Sequence, residues 1–310
     1  MYRVLIQLLI TYLLLIAPVA VFADYMRVTL LGTGSPRPDV SRSGPAVLVE
    51  AGGKYLLFDA GRGVVDRLNQ LDIPASEIHQ VFLTHLHSDH ISALDDLWMT
   101  GWIYQRQQPL AVYGPDGTES FTQQLQQAYA YDAELRHQYA GLDKNAAILT
   151  AHDIKPGVIY AENGVKVTAF LVDHKPVDPA YGYRIDFGER SVVISGDTTY
   201  SDNLIAHAQD VDLLIHEIFA AKEKILGKNP RLQKIERYHT NPTQLSRVLD
   251  EITPRMTILT HVILIGIEES SVITQLKDGY TGEIRMGEDL IRLDVGSEIK
   301  VAPFKETTHQ

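Results

Sequence analysis

The chain has 310 residues, a formal net charge of −11 and no cysteine. The missing thiols exclude disulfides and thiolate-held metals, and a domain of this size can rely on its hydrophobic core instead. The acidic balance repels polyanions, and no long run of Lys and Arg stands out, so nucleic acid is not an expected partner.

In chain order, Arg3 precedes an apolar stretch at 4–22, and Val21-Phe22-Ala23 offers the small-residue pattern of a signal peptidase site. Residues 1–23 therefore read as a signal peptide, with a mature start at Asp24 and a periplasmic or secreted destination. An uncleaved anchor is the competing reading, because the stretch approaches the length that spans a bilayer. With cleavage, no stable membrane contact is expected. Residues 24–310 show no low-complexity break or repeat and read as one domain with a short carboxy-terminal β extension. Strand-like runs recur at 27–31, 46–50, 55–59, 81–84 and 110–113, with helical patterns at 63–71, 120–130, 203–208 and 244–251. Thr243 is the expected cap of the last helix. A β meander mixed with β-then-helix units is what a four-layered αββα sandwich of the α/β class produces.

The most informative run is Thr84-His85-Leu86-His87-Ser88-Asp89-His90, at the end of an apolar strand. Its imidazoles and carboxylate cannot all reach one tetrahedral ion. They can divide between two neighbouring ions, His85 and His87 on one, Asp89 and His90 on the other. Three further apolar strands end in metal-capable groups: 165–172 runs into Asp173-His174, 192–198 carries Gly196-Asp197, and 256–261 closes on His261. Such groups converge if their strands lie side by side.

These motifs, together with Leu31-Gly32-Thr33-Gly34-Ser35, Phe58-Asp59-Ala60-Gly61 and Gly182-Tyr183-Arg184-Ile185, resemble the metallo-β-lactamase superfamily. Within it the chain is similar to the branch containing ribonuclease Z and the type III arylsulfatase-like and phosphodiesterase hydrolases. The resemblance implies that His85, His87 and His174 hold one metal, that Asp89, His90 and His261 hold the other, and that Asp197 bridges them. It also places His239 over the metals, oriented by Glu217, as a proton donor or oxyanion contact. Asp59 would orient a metal histidine from beneath the site, or else serve only as a turn residue before Ala60-Gly61. A homodimer is the family-like expectation.

Two divalent ions, zinc before manganese or iron on these nitrogen and oxygen donors, would activate a shared water as nucleophile. Asp89 counts as a catalytic group as well as a ligand, beside His239 and Glu217. In ribonuclease Z the arm that docks transfer RNA lies between the third metal histidine and the bridging aspartate, whereas here His174 and Asp197 are separated by one hairpin's worth of chain. Trp98, Trp102, Tyr131 and Arg136 look like an apolar wall for a small or aromatic leaving group. The resulting expectation is an exported hydrolase of small phosphodiester, phosphotriester or aryl sulfate esters. A transfer RNA 3′ endonuclease, a lactonase or β-lactamase, and a non-catalytic metal-binding module are the alternatives.

Overall fold

The computed structural model describes residues 26–304, so the expected signal peptide lies outside the described residues. The chain first lays down β1 (Met26–Gly32), β2 (Ala46–Ala51), β3 (Lys54–Phe58), β4 (Gln80–Phe82), β5 (Leu110–Gly114) and β6 (Leu149–Asp153). It then forms β7 (Gly157–Glu162), β8 (Val165–Leu171), β9 (Tyr181–Phe187), β10 (Arg190–Ile194), β11 (Leu213–Ala221), β12 (Met256–Ile265) and β13 (Glu283–Met286) as a second sheet. Finally β14 (Arg292–Val295) and β15 (Ile299–Ala302) return to the first sheet, β14 pairing antiparallel with β1. The sheet orders are β15-β14-β1-β2-β3-β4-β5-β6 and β13-β12-β11-β10-β9-β8-β7.

The helices are α1 (Val64–Gln70), α2 (Ser88–Ile91), α3 (Leu94–Ile103), α4 (Thr118–Ala128), α5 (Ala130–Ala140), α6 (Asp202–His207), α7 (Glu223–Leu226), α8 (Pro230–Glu236), α9 (Pro242–Ile252) and α10 (Glu269–Gly279). Strand periodicity explains how they and the sheets stack. Val192 and Ile194 point into the core between the sheets, while Val193 between them points into the core under α6, α9 and α10. On the first sheet Phe58 and Leu56 face the other sheet, and Leu57 faces the core of α1 and α3. Strands covered on both faces read as continuous apolar runs. The result is the four-layered αββα arrangement anticipated from the sequence.

Two local expectations need correction. The strand at 256–261 does not stop at His261 but continues to Ile265. Thr243 is not the helix cap, because Asn241 caps α9 and forms a reciprocal capping box with Gln244, with Pro242 in the first turn. The aromatic segment at 98–102 is helix α3, whose buried face carries Trp98 and Trp102.

Candidate active site

Parallel pairing runs through β3, β4, β5 and β6 in one sheet and β10, β11, β12 and β13 in the other, which sends several strand ends to the same edge. Asp59 follows β3, and Thr84 to His90 follow β4 and enter the single turn of α2. His174 follows β8, and Asp197 follows β10 by way of Gly196. That glycine has φ +62°, and a Cβ on it would lie 2.6 Å from the Tyr181 carbonyl oxygen, so only glycine turns the chain tightly enough to aim Asp197 inward. His261 is delivered differently. Glu217 pairs with Thr260 and Ile218 with Val262, so His261 is the extra residue of a β-bulge, with φ 43°. The bulge re-aims one side chain out of an otherwise buried strand.

The seven residues expected as ligands are brought together. His85, His87, His174 and Asp197 form one set with ligand atoms mutually within 4.8 Å, and Asp89, His90 and His261 form another. His87 Nδ1 lies 2.9 Å from His85 Nε2 and 3.3 Å from His174 Nε2. Asp197 Oδ2 lies 3.8 Å from the Nε2 atoms of both His85 and His174, and 3.5 Å from His261 Nε2. Its Oδ1 is 3.4 Å from His90 Nε2, and His261 Nε2 is 3.2 Å from Asp89 Oδ2. Donors about 2.0–2.2 Å from a tetrahedral ion sit roughly 3.4 Å apart, so these separations fit two cations. His90 Nε2 and Asp197 Oδ1 are buried and have no hydrogen-bond partner, as expected of atoms reserved for a metal. His87 is the exposed member and marks the open side.

Outer contacts decide which ring nitrogen faces inward. Asp59 Oδ2 takes the Nδ1 proton of His90 at 2.7 Å, and Asp59 Oδ1 accepts the Thr84 amide at 2.8 Å. The Thr84 hydroxyl donates to Asp59 Oδ2 at 2.9 Å and so accepts from His85 Nδ1 at 3.0 Å. His174 Nδ1 donates to the Tyr238 carbonyl at 2.8 Å. Each contact leaves the Nε2 lone pair free for a cation. Asp59 thus makes the orienting contact that was one of its two expected roles. Thr84 was passed over although it opens the motif, and the Tyr238 contribution comes from its backbone, which leaves no side-chain signal.

Burial drives the rings of His85 and His87 towards the neutral form and lowers His174 to about 4, and the neutral ring is the one that can bind a metal. Burial opposes ionisation of Asp197, but His261 and His90 outweigh it and hold the carboxylate well below its ordinary range. His239 Nδ1 is 2.8 Å from Glu217 Oε1 and 4.0 Å from Asp197 Oδ2. Burial disfavours a charged His239, yet Glu217, with Asp197 beyond, offsets it and lifts the ring to about 9. Glu217 is itself fixed by the Thr198 amide at 2.9 Å. A buried, protonated imidazole beside the ligand sets can donate a proton or contact an oxyanion.

The expected substrate wall is not there. Trp98 and Trp102 are each 1% exposed, and their indole N–H groups are used on the carbonyls of Ala147 and Asp143. Both are core residues because α3 packs its aromatic face against the first sheet. Tyr131 and Arg136 lie on α5, which buries no residue, and Arg136 pairs with Asp132 on the same helix. No described hydrogen bond, ion pair or ring contact joins either to the histidine cluster.

Comparison with known proteins agrees with this geometry. Residues 54–262 match the family model described as a beta-lactamase superfamily domain. The Ribonuclease Z of Mycobacterium sp. (strain KMS) is 33% identical over 282 residues, spanning 90% of this chain and 99% of the relative. That of Mycobacterium bovis (strain BCG / Pasteur 1173P2) is 32% identical over 277 residues, with 87% and 98% coverage. The fold is shared with the metallo-beta-lactamase fold protein YhfI of Bacillus subtilis, at TM-score 0.70, 22% identity and 88% and 100% coverage. It is also shared with the short form of human tRNase Z, at TM-score 0.64, 23% identity and 86% and 98% coverage. These relatives overturn the expected small-ester substrate class and the expected exclusion of nucleic acid, since the curated ones are named as ribonucleases. The short connection between His174 and Asp197 does not set the chain apart from this relative: 282 aligned positions covering 90% of one chain and 99% of the other leave no room in that relative for a long insertion.

Proposed function

We propose that this chain, which belongs to the metallo-β-lactamase superfamily and is similar to its ribonuclease Z branch, is a metal-dependent endoribonuclease that trims transfer RNA precursors at the 3′ end. Full-length similarity to proteins named Ribonuclease Z supports the reading, and the His239–Glu217 pair carries it. Cleaving an RNA phosphodiester expels a ribose alkoxide, a far stronger base than a phenolate, so a proton donor close to the reacting phosphate is needed. His239, raised to about 9 against its burial by Glu217, stays charged at neutral pH and can supply that proton.

We assign zinc to both donor sets, His85, His87 and His174 on one side and Asp89, His90 and His261 on the other, with Asp197 between them. When bound, such a pair of ions supplies Lewis acidity towards a phosphate oxygen and a lowered pKa for an attacking water. Asp59, Thr84 and the Tyr238 carbonyl hold the imidazoles in the tautomer that leaves Nε2 free. Glu217 holds His239 by its Nδ1, which presents the opposite edge of the ring, Nε2, to a leaving oxygen. The test is incubation of the zinc-loaded protein with end-labelled precursor transfer RNA, where one cut near the 3′ end is expected. His239→Ala should lower turnover by about 10²–10⁴-fold with metal content unchanged. Intact precursor after exhaustive incubation with fully metal-loaded protein would refute the reading.

A further inference from the structure

The segment linking the Glu217 strand to the His239 loop is unlike the rest of this acidic chain. Residues 222–237 carry Lys222, Lys224, Lys228, Arg231, Lys234 and Arg237 against Glu223 and Glu236, a net of +4 within a total of −11, so the remainder carries −15. All six cations are exposed, and none has a described ion pair or side-chain hydrogen bond. Many cations elsewhere are neutralised, as where Arg42 pairs with Glu269, Arg67 with Asp289, Lys155 with Asp116 and Arg255 with Asp212.

The cations also sit on a fixed base. The Lys222 amide donates to the Ile265 carbonyl at 2.9 Å, and the Gln233 side chain ties α8 to the Leu226 carbonyl of α7 at 3.0 Å. Ile225 packs so closely on Gly266 that a Cβ there would lie 2.5 Å from its Cδ1. Asn229 caps α8. The segment leaves β11 just beyond Glu217 and returns at Tyr238, whose carbonyl orients His174. The Tyr238 ring packs edge-on against His174, with ring centroids 5.4 Å apart, so the end of the basic segment lies against the site.

We propose that residues 222–237 form a cationic face that grips the phosphates of the RNA strand flanking the scissile bond. The inference rests on the ribonuclease reading for the identity of the strand. Phosphate contacts of this kind position the chain without reading its bases and make affinity fall with salt.

The experiment compares the wild-type holoprotein with Lys224→Gln/Lys228→Gln/Arg231→Gln/Lys234→Gln, both at full zinc occupancy and with matching thermal unfolding. Binding of a labelled RNA is followed by anisotropy from about 50 to 200 mM salt, with cleavage measured in parallel. We expect affinity to drop about tenfold or more, the loss to sit in KM rather than kcat, and the salt slope to flatten by roughly 0.7 for each single-strand contact removed. Unchanged affinity and slope overturn the proposal, as does wild-type protein that binds phosphatidylglycerol vesicles through this segment but not RNA. If the wild type binds RNA through the segment yet cuts none, the face stands and the ribonuclease reading falls.

Discussion

His216 shows how much one buried side chain can govern. It is 1% exposed within β11, one position before Glu217, and its Nδ1 donates to the Glu217 carbonyl at 2.7 Å. Burial lowers its pKa from 6.5 to about 4, with that backbone contact opposing only part of the effect. Above pH 6.5 the ring is neutral in both folded and unfolded chains and costs nothing. As the pH falls from 6.5 towards 4 the unfolded chain binds a proton that the folded one refuses, so stability declines, levelling off below 4. Across that window the loss is about 3 kcal/mol. Replacement by leucine removes this dependence. Denaturant unfolding of wild type and His216→Leu at pH 7 and pH 4 should show the variant gaining about 3 kcal/mol relative to wild type in acid, since ligand protonation is common to both. A difference between the two proteins that does not move with pH would show that the ring is solvated or paired in some other way.

At the level of elements, the site depends on how strands end and helices begin. The α9 capping box is an example, because Asn241 lies two residues beyond His239 and its side chain accepts from Gln244 at 3.0 Å while the Gln244 side chain accepts from the Asn241 amide at 3.0 Å. Asn241→Ala should destabilise the fold by about 1 kcal/mol. It should also loosen the turn that positions His239, so turnover should fall further than Asn241→Asp, which keeps the cap; equal activity of the two variants would separate the cap from the turn. The metal motif was legible because its residues are crowded within one turn after a strand, and because Asp197 and His174 follow strands directly. The bulge at His261 was not, since a two-to-one register is a property of two strands together and leaves no mark on either alone. Trp98 and Trp102 misled for a related reason. Their spacing fits a pocket wall and a buried helix face equally, and only the packing of α3 decides between them.

For the whole molecule, composition averages concealed the basic segment: six cations vanish inside a total of −11 although they cluster within 222–237. The layered fold, by contrast, was readable from strand patterns because both faces of each sheet are covered. The metal centre lies where those layers meet. His85, His87, Asp89 and His90 extend from the first sheet and His174, Asp197 and His261 from the second, so bound ions tie the two sheets at one edge. With no cation among them, buried donors such as His90 Nε2 and Asp197 Oδ1 lose their partner. Binding to the folded state alone stabilises by RT ln(1 + [L]/Kd), about 4 kcal/mol when free zinc exceeds Kd a thousandfold. Chelation should therefore lower the melting temperature, and zinc should restore it. Asp197→Ala should abolish most of that zinc-dependent shift because Asp197 lies 3.4–3.8 Å from donors of both sets, whereas Asp89→Ala, which removes a donor of one set, should retain a larger part. Scanning calorimetry of the three proteins with chelator and with zinc measures this, and equal shifts in both variants would mean that the two sheets are not joined through Asp197.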